Sequence, residues 1–310
     1  YSDAVLISRS HQVIVRCRGI VVTKNGKVFN YPFDRFFNDF EAERAHIDWD
    51  TASVQEKVDG FLVCAFWNGS DWEVTTRGSF YPFLKASVDF SDLFRESFDK
   101  FDELDKECCF MFELCTKDNR IITWYEDDAV YLIGARNLNT FKEVGVTALN
   151  AIAKSLGVLR PKLYSASDIN QCKKLFEQLR DDEEGLVIVD KNFNRLKLKQ
   201  ESYILLSRIK MLKEQDMFEY VLGISPIDQE YLAKFPDIII EIEKIRQKWA
   251  KIKVKVNEVF EKIKDSPTRK DFAIEATKYP FKGLLFTMLA GRELNTKILT
   301  WESIKEWVIE

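Results

Sequence analysis

The apolar positions of this chain fall into two regimes. From residue 12 to about 211, short apolar runs alternate with turn residues, the pattern of strands, and a few stretches carry helical spacing. Phe61-Leu62-Val63-Cys64-Ala65-Phe66 is too short for a stable helix and leaves the turn Glu56-Lys57-Val58-Asp59-Gly60 directly, so it predicts a strand. The β-branched stretch 12–22 followed by Lys24-Asn25-Gly26-Lys27 predicts a hairpin, and Asn68-Gly69-Ser70-Asp71 predicts a second one into Trp72–Thr76. Further strands are expected at 108–115, 130–135, 186–189 and 196–199. Phe90, Leu93, Phe94, Phe98, Phe101 and Leu104 predict one amphipathic helix. Helices are also expected near 141–156 and 167–180, the latter capped by Ser165 or Ser167. Beyond Met211 the pattern changes. Apolar residues at 242, 245, 249, 252, 256, 259 and 263 step by three and four, which predicts one long helix. Its cations Lys244, Arg246, Lys248, Lys251, Lys253 and Lys255 predict a strongly basic face, and more helices are expected near 268–277, 281–290 and 301–309. The expected fold is α+β: an antiparallel-sheet domain over 1–211, then a smaller all-α domain over 212–310.

Composition narrows the function classes. The 310 residues are 46% hydrophobic and 31% charged, the balance of a soluble globular protein. A net charge of −4 gives no global signature of nucleic-acid binding, so any such surface must be a local patch. His11 and His46 alone leave little room for a histidine metal site or triad. Six cysteines without a C-x-x-C pair read as free thiols in a reducing compartment. No stretch approaches the ~20 apolar residues of a membrane span, and no signal-peptide pattern opens the chain. It begins at Tyr1 rather than Met, which leaves the compartment open; a cytoplasmic monomer is the expectation.

Several strands carry a charge where an apolar residue would cost less. Lys57 is either a solvated turn residue or an amine nucleophile. Glu113, between Phe112 and Leu114, either faces solvent or is held inward for a ligand. Glu184-Gly185 is a simple turn, or a carboxylate at a strand entrance beside a residue that permits close backbone approach. Lys197 and Lys199 project from one strand face, which suits a polyphosphate or plain solvent. Arg18-Gly19 and Arg77-Gly78 put guanidinium groups at strand ends, fit for phosphate or ribose, or for solubility alone.

In order, Lys57-x-Asp59-Gly60, Arg77-Gly78, Phe112-Glu113, Glu184-Gly185 and Lys197-x-Lys199 resemble the motif series of covalent nucleotidyltransferases, the ligases and mRNA capping enzymes. Cys17-Arg18-Gly19-Ile20, Phe33-Asp34-Arg35-Phe36-Phe37-Asn38, Glu113 followed by Asn119-Arg120-Ile121, and Tyr203 after Lys199 resemble the phage T4-type RNA ligase 1 family, over roughly residues 12–208. Arg35 and Arg77 stand where that family has lysine, which keeps the charge but changes a point donor into a planar fork.

The resemblance implies an adenylyltransferase (ATP-grasp-like ligase) domain that uses ATP with Mg²⁺ or Mn²⁺ to join RNA 5′-phosphate and 3′-hydroxyl ends, tRNA being one possible substrate. It implies Lys57 as nucleophile and Glu113 at the AMP ribose with Arg77 nearby. It further implies Glu184 at the metal, and Arg18, Arg35, Glu56, Lys197 and Lys199 around the nucleotide. Asp59 would orient the loop or assist leaving-group or acceptor activation. Burial and the cations Lys197, Lys199, Arg18 and Arg35, with the metal, are expected to lower the Lys57 pKa. The basic helix 242–263 would bind the RNA backbone or serve as a solvated structural helix. A capping-type guanylyltransferase and a catalytically silent RNA-end-binding protein are the alternatives.

Overall fold

The computed structural model describes residues 12–76, 78, 90–117, 120–292 and 299–304. Its contacts divide the chain into two compact units, Tyr1–Ile204 and Leu205–Glu310. The first is mixed α/β. Its first described element is helix α1 (Gln12–Arg16), where β-branched residues had suggested strand. The Val15 carbonyl there accepts the Arg35 N–H at 2.8 Å, a tertiary bond that local propensity does not register. Strands β1 (Val21–Val22) and β2 (Val28–Asn30) form the expected hairpin, with Gly26 at φ 82°, where the turn demands a left-handed residue.

Strands β3 (Phe37–Asn38), β4 (Ser53–Glu56), β5 (Phe61–Trp67) and β6 (Trp72–Thr76) follow. Helix α2 (Phe90–Ser97) is shorter than its spacing predicts, and the chain tightens into a 3₁₀ turn at Phe101–Glu103. That turn folds Phe101 back onto Phe98, with ring centroids 5.1 Å apart, while Phe98 also meets Phe112 at 5.2 Å. Strands β7 (Cys108–Cys115) and β8 (Ala129–Asn137) lead to α3 (Val146–Leu156), β9 (Leu163–Tyr164) and α4 (Ile169–Leu175). Neither Ser165 nor Ser167 caps α4. Asp168 does, its carboxylate accepting the Gln171 N–H at 2.8 Å. Strands β10 (Gly185–Val189) and β11 (Arg195–Lys199) close the unit.

These strands form one four-stranded sheet ordered β6-β5-β7-β8 and one five-stranded sheet ordered β3-β11-β10-β4-β9. Both are antiparallel except for the short parallel pair β3/β11. Period-two alternation then separates core from cavity. In β11, Leu196 and Leu198 are buried with Leu186, Ile188 and Val54, so Lys197 and Lys199 point the other way. In β7, Phe110, Phe112 and Leu114 pack against α2 and α3, which turns Glu113 to the opposite face. All six cysteines are free, and all but Cys17 are buried.

The second unit contains only helices among its described residues. Helix α5 (Glu201–Lys210) crosses the division, followed by α6 (Glu214–Val221), α7 (Gln229–Leu232) and α8 (Pro236–Ile263). Helices α9 (Arg269–Ala276), α10 (Lys282–Leu289) and α11 (Trp301–Ile304) complete it. The α8 stripe Ile242, Ile245, Trp249, Ile252, Val256, Val259 and Ile263 is buried. Its cations do not share one face. At about 100° per residue, Arg246 and Lys253 lie nearly opposite Lys244, Lys248, Lys251 and Lys255. No helix among the described residues is long and apolar enough to cross a membrane.

Candidate active site

Two glycines bring the motif segments together. Gly185 lies at φ 135°, and a Cβ there would sit 2.1 Å from the Leu198 carbonyl oxygen, so no side chain fits between β10 and β11. Its own carbonyl accepts the Lys57 N–H at 2.8 Å, which sets Lys57 beside Glu184. At Gly60 the reason is close approach. A Cβ would come within 2.5 Å of the Leu114 carbonyl oxygen, and the Gly60 N–H donates to Glu113 Oε1 at 3.2 Å.

Glu184 is the hub. Its Oε2 lies 2.6 Å from Lys57 Nζ and its Oε1 lies 2.6 Å from Lys199 Nζ. Its side chain is only 6% exposed. Burial opposes its charge, but the two amines win and hold its pKa below the usual glutamate value. The effect on Lys57 runs opposite to expectation. Burial would lower the amine's pKa, but Glu184, Glu113 and Asp59 outweigh it and raise it. Among the described residues, Lys197 has no such ion-pair partner. Burial first, then the charges of Lys57 and Lys199, push it down to about 8. Burial also drives Glu113 up to about 7, against the pull of Lys57 and the Gly60 N–H.

Asp59 is enclosed by donors. Its Oδ2 accepts the N–H groups of Ile122 and Thr123, both at 2.8 Å, and its Oδ1 accepts the Tyr203 hydroxyl at 2.6 Å. Its own N–H donates to Tyr125 Oη at 3.0 Å. A carboxylate so engaged fixes the loop, and its lone pairs are committed to that.

A cavity of about 600 Å³ gathers these groups. Lys57, Asp59, Gly60, Glu113, Glu184, Lys197 and Lys199 line it, as do Arg18, Arg35 and Glu56. Arg35 lies over the Phe37 ring at 4.9 Å. Glu56 Oε2 accepts the Lys162 N–H at 3.1 Å, and burial raises its carboxyl pKa. Arg77 and Asn119 lie outside the described residues.

Sequence reasoning missed two supports. One is the 122–125 loop, whose backbone N–H groups and Tyr125 hydroxyl carry no sequence signal. The other is a buried ion triad. Glu143 takes Arg136 at 2.9 Å and Arg195 at 2.5 Å, linking β8 to β11. Arg136 also donates to the Tyr31 and Pro32 carbonyls, and Arg195 lies over Phe33 at 4.3 Å, so the triad holds the segment that carries Arg35. The unusual charge of Arg136 in the apolar β8 run was the available clue.

Among the described residues, no group of three or more His, Cys, Asp or Glu is placed to hold a metal unaided. Glu184 offers hard oxygens, but both face amines. Hard carboxylate oxygens suit a cation such as Mg²⁺, which takes one or two carboxylates with phosphates and waters completing its shell, once one oxygen is released from its amine.

A family model described as RNA ligase matches residues 16–203. The RNA ligase of Rhodothermus phage RM378 is 26% identical, over 89% of this chain and 81% of that protein. A protein of Autographa californica nuclear polyhedrosis virus named "Putative bifunctional polynucleotide kinase/RNA ligase" is 28% identical over 74% of this chain, which spans 36% of that protein's length. A solved structure of an archaeal ATP-dependent RNA ligase aligns with 73% of this chain and 65% of its own, with 16% identity and a TM-score of 0.46.

Proposed function

The chain belongs to the RNA ligase family, and on that premise we propose that it joins RNA 5′-phosphate and 3′-hydroxyl ends at the expense of ATP, through a lysyl-AMP on Lys57. The carrying observation is the Lys57–Glu184–Lys199 bridge, with Lys197 beside it, at the wall of one cavity. Lys57 Nζ attacks the α-phosphorus of ATP; the N–P bond forms as the bond to pyrophosphate breaks. The AMP then passes to the RNA 5′-phosphate, freeing Lys57, and the 3′-hydroxyl displaces AMP as the strand closes.

Only the unprotonated amine attacks, and Glu184 holds the proton on. The reactive state is one in which Glu184 has turned to other partners, while Lys197 and Lys199 disfavour a third positive charge. The same two lysines neutralise phosphate charge as it develops. Glu113, through its place beside Gly60, is assigned to the ribose, and Arg18, Arg35 and Glu56 to the nucleotide's surroundings. Asp59 positions the nucleophile loop. Glu184 would hold Mg²⁺ or Mn²⁺, whose chemistry is the neutralisation of phosphate charge. Residues 1–211 form the adenylyltransferase part, and the helices of 212–310 are assigned to RNA selection, tRNA included.

Incubation with α-labelled ATP and Mg²⁺ tests this reading. The expected result is a denaturation-resistant labelled band, followed by sealing of 5′-phosphorylated RNA. Labelling by GTP instead would make the protein a guanylyltransferase, and RNA binding with no label would leave it an end-binding protein.

A further inference from the structure

We propose that Trp124, backed by Arg120, is a stacking platform for an unpaired base of the RNA end, an inference that rests on the RNA-joining reading above. Isolated exposed apolar side chains are ordinary. Trp124 differs in how it is held. The residue is 57% exposed, yet its backbone is pinned on both sides. Its N–H donates to Asp182 Oδ2 at 2.7 Å, and its carbonyl accepts Arg180 Nη2 at 3.2 Å. The preceding Thr123 donates its N–H to Asp59 Oδ2 at 2.8 Å and its hydroxyl to the Asp182 carbonyl at 2.7 Å. The loop therefore braces two segments at once, the one carrying Lys57 and the one carrying Glu184. Ile121, three residues earlier, lines the cavity.

Such a fixed, solvent-facing ring beside a nucleotidyl site costs burial energy that folding could have recovered elsewhere. The Arg120 guanidinium lies 5.1 Å from the ring centroid and covers it from one side. Most neighbouring carboxylates have a donor, while Glu126, two residues on, is exposed. Asp182 takes the Trp124 N–H and Arg180, Glu183 takes the Arg180 N–H, and Asp127 and Asp128 meet Lys117. Aromatic rings paired with arginine are the usual means of holding single-stranded bases without reading sequence. A base stacked here would be immobilised on the same frame as the nucleophile, so that the RNA end and the activated phosphate share one reference.

The test compares Trp124→Ala and Trp124→Phe with the unaltered protein in two assays. The first is binding of a 5′-phosphorylated RNA carrying 2-aminopurine near its end, followed by fluorescence quenching without ATP. The second is the apparent KM for RNA in sealing, set against RNA-independent labelling by ATP. Trp124→Ala should weaken RNA binding and raise that KM about tenfold, and lose the quenching, while Trp124→Phe recovers most of both. Undiminished quenching in Trp124→Ala would overturn the platform. So would equal affinity of the unaltered protein for an RNA abasic at the probe position. An equal fall in RNA-independent labelling and RNA binding would reduce the loop to a brace. Because the binding arm needs no ATP, absence of a labelled band in the unaltered protein sinks the ligase reading alone.

Discussion

Lysines serve opposite ends in the two units. At the cavity, Lys57 and Lys199 share one buried carboxylate, and among the described residues Lys197 has no acidic partner within ion-pair reach. Along α8, Lys244 pairs with Glu241 at 2.6 Å, Arg246 with Glu243 at 2.5 Å and Lys255 with Glu258 at 3.8 Å, each three residues apart. Such helix-surface pairs are worth only about 0.2–0.5 kcal/mol each. Lys248 lies over the Trp301 ring at 5.5 Å, its chain covering apolar surface. The cavity places charges where water screens them less, and so it changes proton affinities; the helix leaves its charges solvated. Residue type is shared between the two regions, and environment makes the chemistry.

Four experiments probe that contrast. Lys57→Ala should abolish the labelled band, and Lys57→Arg should do the same, because a guanidinium supplies no free amine. A band surviving either change would remove Lys57 from the mechanism. Next in size is Glu184→Gln, which leaves Lys57 and Lys199 without their shared counter-charge. Because both amines keep partial access to solvent, the stability loss should fall below the about 3–5 kcal/mol of a fully buried pair, to be read from urea unfolding. With Glu184 neutral, the Lys57 pKa should also fall, moving the pH profile of any residual labelling to lower pH.

Lys197→Met should act in the opposite direction on stability. The folded-state pKa of Lys197 is about 8, below its ordinary 10.5, so the unfolded chain binds the extra proton between those values. Below pH 8 the native protein bears the full cost of the buried charge, and that cost is relieved as pH rises toward 10.5. The variant should therefore melt higher than the unaltered protein at pH 7, with the gap closing by pH 10, while labelling falls. A gap that is flat with pH would show that packing rather than charge is responsible. The smallest effect is expected on α8. Lys248→Glu with Lys251→Glu and Lys255→Glu should leave ATP labelling unchanged. If the helix contacts the RNA backbone, the salt dependence of RNA binding should flatten by up to about three ion equivalents. An unchanged slope would leave α8 a solvated structural helix.

The candidate site was largely legible because each motif is local. Lys57-Val58-Asp59-Gly60 had to be a turn before a strand, and alternation along β7 and β11 forced Glu113, Lys197 and Lys199 away from the cores that bury Phe112 and Leu198. Helix α8 was legible from its stripe, but the single basic face expected of its cations was a misreading, since at about 100° per residue Arg246 and Lys253 stand nearly opposite the other four. The α4 cap went to Asp168 because its carboxylate, not a nearby serine, reaches Gln171. Short strands such as β3, β4 and β9 left too few residues for a period to show.

By itself the sequence determined the candidate residues and that Lys197 and Lys199 share one strand face, because alternation and turn chemistry act over a few residues. The tertiary structure decided the proton. Glu184 stands 127 positions from Lys57, and only the β4/β10 pairing, closed over a glycine, brings them to 2.6 Å. Desolvation and Coulomb attraction depend on that distance and on the exclusion of water, and neither is written in the order of residues. The same holds for Asp59. Its motif position left open whether it orients the loop or assists a leaving group or acceptor, and the backbone of a loop more than sixty residues away engages it as an anchor of the Lys57 turn.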